Sequence, residues 1–123
     1  VLKSGSNFIF SCNHPVRFAA ETANTDTHHV YKLEVKKDRI TKEITIYGDY
    51  LTKKKIIDAF GKDTVNIWHM PVGEISKCIH DTGFLIEQIV EPLPQERMKE
   101  IKLESYLRLQ KIPEFIIFKL IKI

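Results

Sequence analysis

The sequence predicts an α/β fold that carries an inserted β-hairpin. Short, compact apolar runs, of the kind that form strands covered on both faces, occur at 7–12, 84–90 and 115–121. In the second half of the chain, segments with a helical apolar period lie between such runs. Around residues 31–46, apolar and charged side chains alternate instead, which is typical of a hairpin with one face in water.

The first half of the chain is predicted to hold one strand, a loop and the hairpin. Strand 7–12 ends at Asn13-His14-Pro15, because proline cannot continue a strand ladder. Residues 16–28 are small and polar without a period, so we expect a mobile surface loop that can begin with one short turn of helix. The hairpin follows over about 29–48, with its turn at Lys37-Asp38-Arg39.

The middle of the chain is predicted to contain two helices. Residues 53–61 form the first, a short helix that ends at Gly61, and 64–70 are extended. The second runs from Pro71 to about Thr82, because its apolar side chains, Cys78 among them, recur at a spacing of three and four. Gly83 ends this helix.

The last part of the chain is predicted to be strand, helix and strand. Strand 84–90 stops at Glu91-Pro92, and Pro94 is well placed to start a helical region that runs to about Gln110. The final strand, 115–121, is apolar on both faces at its start. We therefore expect it to lie inside a sheet and not at its edge.

The composition is that of an ordinary globular protein. The chain has 123 residues, 28% of them charged, and a net charge of +3 that does not demand nucleic acid. No apolar stretch approaches the roughly 18 residues that cross a membrane. Cys12 and Cys78 are typical of small core residues in a reducing compartment, so we expect a cytoplasmic protein. The start at Val1, inside an apparent turn, suggests a fragment: one partial domain over 1–123.

Four short motifs occur in a fixed order. They are Ser11-Cys12-Asn13-His14-Pro15, Gly83-Phe84-Leu85-Ile86-Glu87, Glu91-Pro92-Leu93-Pro94 and Ile112-Pro113-Glu114-Phe115. In this order and spacing they resemble the C-terminal half of class I S-adenosylmethionine-dependent methyltransferases. The similarity is greatest to the small-molecule branch that carries a Ser-x-x-His-Pro segment. It is weak over 16–63 and good from residue 64 on.

This resemblance implies a place for the chain in a larger enzyme. The three strands would be the fifth, sixth and seventh of a Rossmann-like methyltransferase sheet, with the seventh antiparallel and central. The substrate would be a small-molecule methyl acceptor. The family holds S-adenosylmethionine with a glycine-rich loop after the first strand and an acidic residue after the second. Neither is in this chain, so we expect the cofactor to be bound mainly by residues absent from it, and the fragment alone to be inactive.

Two histidines are the candidate catalytic residues on the substrate side. His14 ends a strand before a proline and could accept a proton from the group being methylated; the alternative is a loop histidine that caps backbone groups. His69 could act likewise beside Trp68, a candidate substrate-binding wall. The alternative there is a core tryptophan beside a surface histidine.

Asn13 and Tyr50 complete the candidate substrate-binding residues. Asn13 shares the loop of His14. Tyr50, with Tyr47, flanks Gly48-Asp49 and could cover a ligand, although such tyrosines often only pack at a hairpin end. No metal site is assigned, because Cys78 and His80 are two apart on a predicted helix and diverge by roughly 200°.

Two further functions are compatible with the sequence. A non-catalytic interaction module could use strand 7–12 as an exposed edge, which would template a homodimer. Nucleic-acid binding through the hairpin lysines is the weaker alternative, and we expect no nucleic-acid partner.

Overall fold

The computed structural model of the protein describes residues 2–123. Over these residues the strands are β1 (Asn7–Asn13), β2 (Glu21–Asn24), β3 (His29–Lys32), β4 (Glu34–Lys37), β5 (Ile44–Tyr47), β6 (Lys54–Phe60), β7 (Asp63–His69), β8 (Phe84–Val90) and β9 (Phe115–Lys122). The helices are α1 (Val72–Asp81), α2 (Met98–Ile101) and α3 (Leu103–Leu109), and a 3-10 turn spans Pro15–Phe18.

The chain divides into two compact units. The first combines the chain up to Arg17 with Val72–Ile123, and the second is Phe18–Pro71. The second unit is therefore a longer insertion than the hairpin predicted over 29–48.

The first unit is built on a three-stranded sheet. β9 lies between β1 and β8 and is antiparallel to both, so the prediction that the last strand is internal is confirmed. Its alternate side chains Ile116, Phe118 and Leu120 are at most 2% exposed and form the core. Phe118 pairs with Phe10 across the sheet, and their rings stack with centroids 5.2 Å apart.

Helix α1 packs beside β8 through one apolar stripe. Ile75 and Ile79, one turn apart, are buried, and the predicted end of the helix at Gly83 has the expected positive φ of 88°. Cys78 is exposed, so its prediction as a core residue is wrong. The reason is that it lies one position before Ile79 and faces away from the buried stripe.

The helical region after β8 begins later than predicted and is divided. It starts at Met98 and not at Pro94, and Lys102, with φ −143° and ψ 84°, separates α2 from α3. Lys102 keeps a hydrogen bond on each side, from its N–H to the Met98 carbonyl at 2.7 Å and from the Tyr106 N–H to its own carbonyl at 3.0 Å. Its extended φ and ψ lie outside the helical region, so the helix is divided there into two short ones.

The second unit consists of three antiparallel strand pairs, β2–β3, β4–β5 and β6–β7. The predicted loop over 16–28 is wrong in part, because Glu21–Asn24 pairs with His29–Lys32. The predicted hairpin is confirmed for β4 and β5, where Val35 lies opposite Ile46.

The predicted helix over 53–61 is wrong. Lys54–Phe60 is a strand paired with Asp63–His69, with Ile56 opposite Ile67, which confirms the extended segment predicted at 64–70. Gly61 and Lys62 form the two-residue turn between them. A positive φ of 65° at Gly61 serves this turn as well as it would have served a helix end.

Two absences hold for the part of the chain that the structure describes. No helix there is long and apolar enough to cross a membrane. No group of three or more histidine, cysteine or acidic side chains there could hold a metal ion.

Candidate functional site

The carboxyl ends of β1 and β8 lie at the same edge of the sheet, because both strands are antiparallel to β9. His14 follows β1 and Glu91 follows β8. Their side chains meet there, with His14 Nε2 2.6 Å from Glu91 Oε2. In α/β sheets, the carboxyl ends of the strands are where ligands bind.

The hydrogen bonds of His14 determine its tautomer. The backbone N–H of Val16 donates to His14 Nδ1 at 3.1 Å, so Nδ1 carries a lone pair. The ring proton is then on Nε2, which donates to the Glu91 carboxylate. The side chain of His14 is 12% exposed and that of Glu91 is 57% exposed. His14 thus accepts the backbone N–H of Val16, as expected for the loop histidine that was the alternative to a catalytic role. It also orients the carboxylate of Glu91, which faces solvent.

Asn13 is held by the same edge of the sheet. Its Oδ1 accepts a hydrogen bond from Arg17 Nη1 at 2.9 Å, and Arg17 Nη1 lies 3.7 Å from Glu114 Oε1. The backbone N–H of His14 donates to the carbonyl of Glu114 at 2.8 Å. The loop after β1 is therefore fixed by contacts to both neighbouring strand ends.

Three residues of this cluster, Arg17, Glu91 and Glu114, were missed by the sequence analysis. Glu91 lies in the Glu-Pro-x-Pro motif and Glu114 in the Ile-Pro-x-Phe motif. The sequence analysis used these motifs only for the resemblance to methyltransferases and gave their glutamates no role. Their position directly beside strand ends was the signal that could have identified them. Arg17 gave no such signal, because its side chain reaches Asn13 only through the 3-10 turn.

His69 is buried in the second unit, with 2% of its surface exposed. Its Nε2–H donates to the carbonyl of Tyr50 at 2.8 Å, and the Tyr50 ring meets the imidazole edge-on with centroids 6.1 Å apart. His69 Nδ1 is buried and has no hydrogen-bond partner among the described residues. The structure therefore brings the candidates His69 and Tyr50 together.

Trp68 is 58% exposed, and Lys53 Nζ lies 5.4 Å from the centre of its ring. The alternative of a core tryptophan beside a surface histidine is thus wrong for both residues. Successive side chains of a strand point to opposite faces, and in β7 the face that is buried is the one carrying His69.

An open groove of about 510 Å³ lies in the second unit. Its walls are mainly apolar and include both Tyr47 and Tyr50; the remaining apolar lining is Leu33, Val35, Ile46 and Leu51. Gly48 also lines the groove, at a position where a Cβ would lie 2.7 Å from the Ala19 carbonyl oxygen. Two carboxylates, Glu34 and Asp49, also line the groove.

The carboxylate of Asp49 accepts a hydrogen bond from the backbone N–H of Thr52 at 3.0 Å. Hydrogen bonds from the Thr52 side chain and backbone N–H lower the pKa of Asp49 below its ordinary 3.8, and the charge of Lys54 adds a smaller effect. In the first unit, burial raises the pKa of the Cys12 thiol, which makes it less reactive as a nucleophile.

The described residues do not by themselves fit S-adenosylmethionine. Where strand gives way to helix in the described chain, β7 leads through Met70-Pro71 into α1, and β8 leads through Glu91-Pro92-Leu93-Pro94 toward α2. Neither connection is the glycine-rich loop that lets a backbone approach a nucleotide cofactor closely.

Solved structures show the fold. The chain is similar to a provisionally assigned S-adenosylmethionine-dependent methyltransferase from Listeria monocytogenes, with a TM-score of 0.67 and 22% identity over 99% of this chain and 50% of that one. It is also similar to an S-adenosylmethionine-dependent methyltransferase from Mesorhizobium loti, with a TM-score of 0.65 and 21% identity over 98% of this chain and 50% of that one.

The chain has the fold of part of a methyltransferase. It spans about half the length of the two structures that it matches. No protein-family model and no curated protein matches the sequence.

Proposed function

We propose that the chain is the substrate-side portion of an S-adenosylmethionine-dependent methyltransferase that methylates a small molecule. The observation that carries the proposal is the match of nearly the whole chain to half of two methyltransferases, with TM-scores of 0.67 and 0.65. In this proposal β1, β8 and β9 are the fifth, sixth and seventh strands of the methyltransferase sheet.

The cofactor, when bound by the remainder of such an enzyme, supplies the methyl group. The residues of this chain would orient the acceptor and accept its proton. In the pair of His14 and Glu91, the Glu91 carboxylate is the more exposed group and would be the one that meets the acceptor. His14 would hold this carboxylate in place and is therefore a positioning residue. His69 Nδ1 has a lone pair and no hydrogen-bond partner among residues 2–123, which is the chemical property of a proton acceptor.

The first experiment measures cofactor binding by this chain alone. Because the glycine-rich loop is absent, titration with S-adenosylmethionine in a calorimeter is expected to show no binding. Tight binding by the isolated chain would contradict the placement of the cofactor site.

The second experiment tests the two histidines in the longer enzyme that the proposal implies. H14Q and H69Q are expected to lower methyl transfer about a hundredfold, the low end of the range for a lost proton acceptor. H80Q is the matched control, since the His80 side chain is 74% exposed on α1. Equal rates for all three variants would remove both histidines from the mechanism.

The interaction module remains the second candidate function. Among the described strands β1 pairs only with β9, and its Phe8 and Ile9 are 45% and 60% exposed. An edge of this kind can pair with another chain, here a second copy. Sedimentation is expected to show a homodimer that I9K converts to a monomer. I57K is the control, at a β6 position that is 70% exposed against 60% for Ile9, and it should leave the dimer intact. A monomeric wild-type chain would exclude this use of the edge.

A further inference from the structure

Arg17 determines which end of the Asn13 amide is left for a ligand. Its Nη1 donates to Asn13 Oδ1 at 2.9 Å. A guanidinium has only donors, so the amide atom that meets it must be the oxygen and not the nitrogen. The NH2 group of Asn13 is then the end that does not face Arg17. It has no hydrogen-bond acceptor among the residues that the structure describes.

The guanidinium that orients this amide is itself held in place. The backbone N–H of Arg17 donates to the His14 carbonyl at 3.0 Å, and Pro15 in the same 3-10 turn is buried. Arg17 Nη1 lies 3.7 Å from Glu114 Oε1, and the two side chains are only 34% and 24% exposed. The turn and the ion pair therefore fix the direction of the Asn13 amide in the folded chain.

The charge that remains at this edge of the sheet is negative. The Arg17 charge is balanced by Glu114, and the His14 imidazole is neutral in the tautomer that its hydrogen bonds determine. The Glu91 carboxylate, 57% exposed, has only this neutral ring as its partner. A bound carboxylate would meet the repulsion of Glu91, whereas a neutral carbonyl oxygen accepts a hydrogen bond from Asn13 without it.

We propose that Arg17 is a specificity-determining residue, which turns the Asn13 amide so that its NH2 group donates to a neutral carbonyl oxygen of the methyl acceptor. An acceptor of this class is an amide or a ketone. Arg17 is a positioning residue, since it acts through Asn13. The inference rests on the proposed function, because it takes the carboxyl edge of the sheet as the place of the acceptor.

The test uses three probes that share a phenyl ring as a common body: acetophenone, benzoate and toluene. Each is titrated into the chain, and binding is followed by the 15N–1H shifts of the Asn13 side-chain NH2 and of the backbone amides around it. Acetophenone is expected to bind about threefold to tenfold more tightly than toluene, the size of one hydrogen bond. Benzoate is expected to bind more weakly than acetophenone.

Variants separate the direction of the amide from its presence. N13D still accepts the Arg17 hydrogen bond but has no NH2 group, so acetophenone and toluene should bind equally. R17M releases the amide and should also remove the preference, whereas R17K keeps a donor and should retain it. R97M, at an exposed arginine beside α2, is the control that should leave the preference unchanged. A merely structural loss would weaken both neutral probes alike and leave their ratio constant.

Three results would overturn the inference: equal binding of acetophenone and toluene to the wild-type chain, no shift of the Asn13 side chain with any probe, or an unchanged preference in R17M. The probes are measured without cofactor. A longer enzyme that transfers no methyl group would therefore remove the proposed function and leave the preference for a carbonyl standing. A longer enzyme that is active, with a chain that shows no such preference, would remove the role of Arg17 alone.

Discussion

The imidazole of His14 donates its Nε2 proton to the carboxylate of Glu91 across the ends of two strands that do not touch each other. The distance between the two atoms is 2.6 Å, and β9 separates the strands. The pair therefore joins the loop after β1 to the loop after β8 at the edge of the sheet where we place substrate. Its contribution to stability and to the tautomer of His14 can be measured in the chain alone.

Replacing Glu91 by Gln should lower the free energy of unfolding by about 1 kcal/mol, because a charge-assisted hydrogen bond becomes a neutral one. The matched control is E87Q. Glu87 pairs with Lys119 at 3.1 Å, but both side chains are more than one third exposed, so the cost should stay below about 0.5 kcal/mol. Urea unfolding of the two variants measures the difference. Equal losses of unfolding free energy in the two variants would contradict the greater strength of the hydrogen bond between His14 and Glu91. Separately, the 15N chemical shifts of the His14 ring should show the Nε2–H tautomer in the wild type.

Replacing Gly48 by Ala should destabilise the chain by about 3 kcal/mol, because a left-handed backbone is strained for alanine and its Cβ meets a fixed carbonyl oxygen. The φ of Gly48 is 87°, and a Cβ added at this position would lie 2.7 Å from the carbonyl oxygen of Ala19. Gly61 has a similar φ of 65° with nothing within 4 Å, so G61A should cost only about 1 kcal/mol. If thermal unfolding shows a smaller loss of stability for G48A than for G61A, the backbone around Gly48 is not packed against Ala19 as described.

Truncating Phe118 to Ala should cost about 3–5 kcal/mol, since it deletes a fully buried ring from the central strand. Phe60 is 74% exposed, and F60A should change stability by less than about 0.5 kcal/mol. Denaturant unfolding followed by fluorescence or circular dichroism compares the two. A small loss for F118A would mean that β9 is not the core strand.

The turn between β4 and β5 should make stability depend on pH through Asp38. Its carboxylate accepts the backbone N–H groups of Thr41 and Ile40, at 2.9 Å and 2.8 Å, which lowers its pKa below the ordinary 3.8. Since the folded pKa is the lower one, the stabilisation is present above 3.8 and is lost as pH falls through the folded value.

D38N removes this charge and keeps an oxygen that can accept the same hydrogen bonds. The melting temperature of the wild type should exceed that of D38N at pH 6, and the two should converge as the solution is acidified below the ordinary carboxyl pKa. A difference in Tm that stays constant between pH 6 and the acid limit would show that ionisation of Asp38 does not contribute.

The sequence was sufficient for most of the first unit, apart from the start and division of the helical region after β8. In the second unit it was sufficient only for the β4–β5 hairpin and the extended segment 64–70. Apolar runs and proline or glycine ends identified β1, α1, β8 and β9, because these elements bury side chains with a clear period. In the second unit the strands are short and mostly exposed, so their pairing depends on neighbours that local pattern does not reveal. The segment 53–61 shows this, since Gly61 suits a helix end and a hairpin turn equally.

The location of the candidate site could be predicted from the sequence, but the partners of its side chains could not. The carboxyl end of β1 follows from the strand pattern, and His14 was found there. Its partner Glu91 lies far away in sequence and becomes a neighbour only through the pairing of both strands with β9. The sequence did not show which face of β7 is buried. Because neighbouring side chains of a strand point to opposite faces, choosing the wrong face makes Trp68 buried and His69 exposed, the reverse of what the structure shows.

The central position of β9 has a consequence for synthesis on the ribosome. The strand that joins β1 to β8 is the last one of this chain to be translated, so neither partner can complete its hydrogen-bond ladder until residues 115–122 have left the exit tunnel. Throughout that interval the backbone edges of β1 and β8 that will pair with the late strand remain without their partner. A chaperone that shields unpaired strands during elongation would therefore act on β1 and β8 until residues 115–122 emerge.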